Sequence, residues 1–262
     1  MPERPNGAVS KTVVSREGHR GFKSHSLRHL VRDPGFVDDR ARQARRAYDG
    51  LASPYADTFF DELDRKPFDR ALLDGFAGEV APGPVLDVGS GPGHLARYLR
   101  GRGVETVALD VAPAMVATAQ RMTPGLAAVE ASMTSLPVRP GALSGIAAFY
   151  SIIHLDREEL EPTFEEWRRA LRPGGRVMVS FHGGEGVVEP PEMLGRPVDL
   201  SFTFYAPDEV SSALTAAGFD VESTDARDPY EFEAQTTRVY VTARSRLASR
   251  LHPRRKGQAC DG

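Results

Sequence analysis

From Pro84 onward the chain alternates short apolar runs with longer amphipathic segments, and few folds accommodate that alternation. PVLDV (84–88), ETVALD (105–110), LAAVEA (126–131), ALSGIAAFY (142–150) and GRVMVSFH (175–182) read as buried strands. HLARYLRGRG (94–103), PAMVATAQRM (113–122) and 158–171 carry the helical period between them. Such crossovers join parallel strands. After a helix at 207–217, FDVESTDAR (219–227) and TTRVYVTAR (236–244) lie too close in sequence for a crossover, so they pair antiparallel. The expectation is a doubly wound α/β fold with a mostly parallel sheet, whose ligand binds outside the carboxyl ends of the strands.

Ahead of the sheet, 38–63 reads as one or two helices, with Ala47, Leu51, Tyr55 and Phe59 four apart, and 67–78 as another. Residues 37–80 are therefore a helical cap, and 81–244 the main domain. Residues 1–36 and 245–262 mix Gly, Pro, Ser and basic residues without period and read as mobile tails. His25 and His29 in the first tail have metal-pair spacing but no further ligand nearby, so no metal is expected. At 262 residues and 40% hydrophobic the chain can bury one sizeable core. A net charge of -3 gives no general attraction to nucleic acid or an anionic membrane. No apolar run is long enough to span a bilayer, no signal peptide is evident, and the single cysteine, Cys260, forms no internal disulfide; the expected setting is cytoplasmic, as a monomer or homodimer.

The loop after the first strand, Gly89-Ser90-Gly91-Pro92-Gly93, places three glycines in five positions. Glycine turns the chain at positive φ and lets a ligand approach bare backbone, while the next helix offers free N–H groups. Gly91-x-Gly93-x-x-Ala96, with Asp110 downstream, also fits a dinucleotide fingerprint. Asp87 argues against a pyrophosphate, because an acid at this strand exit suits a cationic ligand; its alternative use is to cap the loop. Of the four lysines, none directly follows the loop as a Lys-Ser/Thr pair, which excludes a P-loop, and the core has no Tyr-x-x-x-Lys pair of short-chain reductases.

In this order and spacing, Asp87-Val-Gly89-Ser-Gly91-Pro-Gly93, Asp110 at the end of the next strand, SMTSLP (132–137) and LRPGG (171–175) resemble the motifs of class I S-adenosylmethionine-dependent methyltransferases, over about 45–244. The resemblance implies a Rossmann-like, seven-stranded sheet with the last strand antiparallel, and S-adenosyl-L-methionine as cofactor. It implies that Gly89 and Gly91, with Ser90 and Gly93 in the same loop, meet the methionine part, and that Asp87 supports its ammonium. Asp110, with Val111 beside it, would accept the ribose hydroxyls; Met115 would lie near adenine or ribose, unless it is core. Ser132, where many relatives have Asp, and Met133 match the adenine edge. Tyr48 and Tyr55 lie on a helix that covers the cofactor in relatives, where ring faces favour a sulfonium.

Phe149-Tyr150-Ser-Ile-Ile-His154 follows the fourth strand, where such a chain passes the methionine part and meets the acceptor. His154, the one histidine between 95 and 181, is the candidate base or acceptor contact, against the alternative of a packing residue. The insertion 183–206 reads as a lid; Phe202, Tyr205 and Arg196 are expected at the acceptor, with Asp199 as a further polar contact. Glu231 and Glu233 could bind a basic acceptor amine or solubilise a hairpin loop, the second being the reading charged turns favour, and Trp167 reads as packing on the sheet. The functional expectation is methyl transfer to O or N of a small aromatic or apolar metabolite. The arginine-rich, lysine-poor composition resembles actinobacterial small-molecule methyltransferases and points to secondary metabolism. The alternatives are an NAD(P)-dependent oxidoreductase and a non-catalytic S-adenosylmethionine-binding module.

Overall fold

The computed structural model describes residues 39–247. The first tail, with His25 and His29, and Cys260 in the second lie outside the described residues, as does all of the second tail beyond Leu247.

The strands β1 (Val85–Val88), β2 (Thr106–Asp110), β3 (Ala127–Glu130), β4 (Leu143–Phe149), β5 (Leu171–Gly183), β10 (Phe219–Arg227) and β11 (Thr237–Ser245) form one sheet. Its spatial order is β10-β11-β5-β4-β1-β2-β3. The first five are parallel, and β11 runs antiparallel between β5 and β10. Alternate side chains face opposite layers. Leu86, Val107, Ile146 and Val179 pack under α5 (Arg157–Ala170) and α6 (Pro207–Ala216). Val85, Ala147 and Met178 face α2 (Pro67–Glu79) and α3 (His94–Gly101), and Ala108 and Ala128 face α3 and α4 (Pro113–Met122).

Predicted and observed elements differ at few points. The first helix, α1 (Asp39–Phe59), stops before a separate 3-10 turn at Glu62–Arg65. β5 begins at Leu171, where LRPGG opens the strand through a register shift opposite Leu143 and Gly145, so α5 ends one residue earlier than its period suggested. The insertion forms two small antiparallel pairs, β6 (Val187–Val188) with β9 (Phe202–Thr203) and β7 (Glu192–Met193) with β8 (Arg196–Pro197). Trp167 is fully buried, and its Nε1 donates to the Met133 carbonyl. Among the described residues no helix is long and apolar enough to cross a membrane.

The chain builds outward from β1 to β3, then crosses back to β4 on the other side of β1. That reversal opens a crevice at the carboxyl ends of β1, β2 and β4. α1 packs on α4 across this end. Asp49 of α1 accepts the Ala114 N–H, capping α4, and Arg45 pairs with Glu130 at the end of β3.

Candidate functional site

The glycine loop, Asp110 and the turn after β4 enclose a cavity roofed by α1. Gly89, Gly91 and Gly93 all have positive φ, for different reasons. A Cβ on Gly89 would lie 2.3 Å from the Ser151 Cβ, and one on Gly93 would lie 2.9 Å from the Ala119 Cβ, so both are demanded by the protein's own packing. Gly93 therefore faces α4 and not the cavity, contrary to the sequence expectation. At Gly91 the nearest neighbour is the Tyr55 ring at 3.6 Å, across the cavity.

Asp110 is buried and holds the loop: Oδ2 accepts the Gly91 N–H and Oδ1 the Ala112 N–H. Burial raises its carboxyl to about 6, with those backbone N–H groups pulling the other way. Asp87 is also buried, and its Oδ2 accepts the Ala96 N–H at the start of α3. Burial raises it to about 7, with His94 and the Ala96 N–H opposing. Its side chain fills the capping alternative and is not on the cavity wall; Ser90 is also off the wall, buried in the loop with its Oγ unpartnered. Neither side chain therefore faces the cavity, contrary to the sequence expectation, and Asp87 instead holds the loop to α3.

The remaining expected cofactor residues converge. Val111, Met115, Ser132, Met133 and Phe149 line the cavity, with Tyr48 and Tyr55 opposite. Met115 is also buried against Ala52 of α1, so its two readings coincide. Sequence reasoning missed Ser151, whose buried Oγ has no hydrogen-bond partner and which lines the same wall. A serine between Tyr150 and two isoleucines carries no distinguishing pattern. Tyr150 holds φ +53, an uncommon conformation for a non-glycine residue that clusters at functional sites.

His154 closes the cavity on a 3-10 turn, Ile152–His154. Its Nε2 lies 3.0 Å from the Tyr48 hydroxyl, and its ring packs on Phe202. Burial lowers it to about 4, partly offset by a hydrogen bond with the Ser201 backbone, so it is neutral near pH 7.

A second chamber of about 560 Å³ adjoins the first and shares Tyr48, Tyr55 and Tyr150 with it. Phe202 and Phe204 of the insertion form part of its apolar side. Tyr205 does not reach it: this residue is fully buried, and its hydroxyl donates to the Leu155 carbonyl at 2.6 Å, fixing the turn that carries His154. Arg196 is also absent from the chamber. It donates to the Gly50 carbonyl, the group left without its helical partner because Pro54 has no N–H. Asp199 accepts from Gln43 on α1. Both polar residues tie the insertion to α1.

The polar side of the chamber was not foreseen. Glu233 is 3% exposed at its side chain and joins Lys66, Arg227 and Arg238. Asp69, 1% exposed, accepts from Arg227 and from the Tyr240 hydroxyl. The expected solubilising role thus fails for Glu233, because the loop turns this acid inward onto three cations; Glu231 stays exposed. Opposing charges from α2, β10 and β11 meet only in the fold.

Residues 85–175 match the family model described as a methyltransferase domain. Malonyl-[acyl-carrier protein] O-methyltransferase of Enterobacter lignolyticus is 32% identical over 51% of this chain and 51% of that protein. Demethylmenaquinone methyltransferase of Beutenbergia cavernae is 32% identical over 58% of this chain and 60% of that protein. The chain spans about half the length of the curated relatives it matches. Among solved structures, the complex of DhpI with SAH is 26% identical, with a TM-score of 0.61, and covers 79% of this chain and 97% of that one.

Proposed function

We propose that this chain, whose residues 85–175 match a methyltransferase domain, is a class I S-adenosylmethionine-dependent methyltransferase that methylates an oxygen or nitrogen of a small aromatic or apolar metabolite. The observation that carries the reading is the pair of joined cavities: one walled by apolar side chains around the Asp110 carboxylate and the Gly91 backbone, and a larger one with aromatic and charged sides meeting it at Tyr48, Tyr55 and Tyr150.

The residues of the first cavity fit the cofactor. A carboxylate offers about four lone-pair sites; the Gly91, Ala112 and Val111 N–H groups take up part of the Asp110 capacity, and what is left faces the cavity, where a ribose hydroxyl would donate. Gly91 presents bare backbone, and Ser151 an unpartnered hydroxyl. Tyr48, Tyr55 and Tyr150 supply ring faces where a sulfonium is favoured. Met115 and Met133 give the apolar walls for a purine, and the Trp167 bond fixes the Met133 backbone.

Bound S-adenosylmethionine supplies a reactive methyl, so the protein's task is alignment and exclusion of water. α1 and the insertion, joined through Arg196 and Asp199, cover the junction of the cavities. His154 serves this reading as the post that orients Tyr48. To take a proton from an acceptor it would have to release the Tyr48 hydroxyl, and burial opposes the charge it would gain.

Calorimetric titration with S-adenosylhomocysteine, NAD and NADP separates this reading from an oxidoreductase. Micromolar binding of S-adenosylhomocysteine, lost in Asp110→Ala, is expected; binding of a nicotinamide cofactor instead would overturn it. Single-turnover methyl transfer to a library of small acceptors distinguishes an enzyme from a binding module.

A further inference from the structure

The second chamber has an apolar side and a polar side, and on the polar side cations outnumber the two carboxylates, both of which are already paired with cations. His182, at the end of β5, lies against the Tyr150 ring at 5.2 Å and is stacked on Phe204 at 5.3 Å. Arg238 Nη1 donates to its Nδ1 at 2.5 Å, and Thr236 Oγ1 lies 2.7 Å from the same nitrogen. A guanidinium only donates, so Nδ1 must carry its lone pair, and the neutral ring carries its hydrogen on Nε2. The protein group recorded near Nε2 among the described residues is the same Arg238 Nη1 at 3.4 Å, itself a donor. The Nε2–H is therefore left to whatever enters the chamber. Burial and the charge of Arg238 hold His182 down at about 3, so it remains a neutral donor throughout the physiological range.

Arg65 adds a second donor group. Its guanidinium lies over the Phe232 ring at 4.1 Å, on the chamber wall, and makes no ion pair among the described residues. The two acids of the chamber are already engaged. Glu62 takes Lys66 and His94, and Glu233 takes Lys66, Arg227 and Arg238.

We propose that this chamber receives an acceptor with an aromatic body and an anionic oxygen group, carboxylate or phenolate, held by the Arg65 guanidinium and the His182 Nε2–H, and that it discriminates against ammonium-bearing acceptors. The body lies along Phe202, Phe204 and Met193, and the charged end meets the Arg65 guanidinium, which makes no ion pair among the described residues, and the His182 Nε2–H. An ammonium there meets two guanidinium groups, Lys66 and an N–H donor, with no uncommitted carboxylate. The inference rests on the methyltransferase reading only in calling the bound molecule an acceptor; the charge preference belongs to the chamber itself.

Three probes of one shape test it: 2-naphthoate, 2-naphthalenemethanol and 2-naphthylmethylammonium, titrated calorimetrically into the full chain with and without S-adenosylhomocysteine. The naphthoate is expected to bind about tenfold or more tighter than the alcohol, and the ammonium more weakly than the alcohol. Arg65→Gln and His182→Phe should each reduce the naphthoate's advantage severalfold, and S-adenosylhomocysteine binding reports whether each variant is folded. An ammonium that binds as well as the naphthoate, a naphthoate that does not bind at millimolar concentration, or an advantage that survives both substitutions would overturn the proposal. Failure of S-adenosylhomocysteine to bind, with the charge preference intact, would overturn the cofactor reading alone.

Discussion

Gly89 and Gly91 share one region of backbone space yet differ in what surrounds them, and that difference predicts opposite phenotypes. Gly89→Ala drives a methyl into Ser151 and should cost about 2–4 kcal/mol in a urea melt, from overpacking plus the positive φ. Gly91→Ala meets only ordinary contact with Tyr55, so it should cost about 1 kcal/mol while weakening S-adenosylhomocysteine binding more than Gly89→Ala weakens what remains folded. Asp110 gives a pH signature. Its carboxyl, raised to about 6 by burial, must be ionised to accept two hydroxyls, so affinity for S-adenosylhomocysteine should fall as pH drops from 8 to 5, most steeply near 6. Asp110→Asn should bind weakly with a flat profile; an unchanged slope in that variant would assign the titration elsewhere. Tyr48 and His154 should act as one unit: Tyr48→Phe and His154→Phe together should slow single turnover little more than either alone, and additive losses would point to separate roles. The loop and strand-end residues of the first cavity were legible from the order and spacing of the motifs, whereas Tyr48, Tyr55 and Met115, which lie on helices, were expected there only through the family resemblance. Tyr205 and Arg196 were misread because an aromatic or a cation in a loop has the same sequence signature whether it faces a ligand or satisfies a carbonyl. His182 carried the one available signal, its position at the carboxyl end of a strand, but its role depends on Arg238, which is brought alongside by an antiparallel pairing 56 residues apart in sequence.

Among elements, the junction of α2 with β10 and β11 is where buried charge decides stability. Asp69 on α2 holds both Arg227 and Tyr240, and Arg227 in turn holds Glu233. Removing one partner leaves buried cations uncompensated, so Asp69→Ala should cost about 3–5 kcal/mol in chemical denaturation. A loss below about 1 kcal/mol would show that water enters the junction. The large elements were readable from period alone: α4 and β10 have the boundaries their sequences predict. The insertion was not, since its strands are two residues long and pair through turns too short to establish an alternation. Nor could the sequence show that Pro54 would free a carbonyl of α1 for Arg196, because that bond joins two segments 146 residues apart.

At the scale of the whole molecule, two cavities with different chemistry share three tyrosines, and the segments over their junction are attached to each other by few polar contacts. Arg196 to the Gly50 carbonyl and Gln43 to the Asp199 carboxylate are solvent-exposed hydrogen bonds, which open at low cost. Ligands in both cavities should therefore slow amide hydrogen exchange across 187–203 severalfold, with the centre of the sheet unaffected; equal protection with and without 2-naphthoate and S-adenosylhomocysteine would show that the insertion is not a lid. The overall architecture was the most legible level, since alternation of strand and helix leaves few ways to wind a sheet, whereas a chamber assembled from four distant segments leaves no local pattern.

The position of β11 also bears on synthesis. This strand, the last element of the sheet, lies between β5 and β10 and brings Arg238 and Tyr240 to the chamber. A chain emerging from the ribosome can bury β1 to β4 early, but β5 and β10 keep unpaired edges until residues 237–245 arrive. Neither the acceptor chamber nor a closed sheet exists before then. A stop ahead of this strand would release a chain in which β5 and β10 keep exposed edges, suited to aggregation, so the sheet closes only once 237–245 has been made.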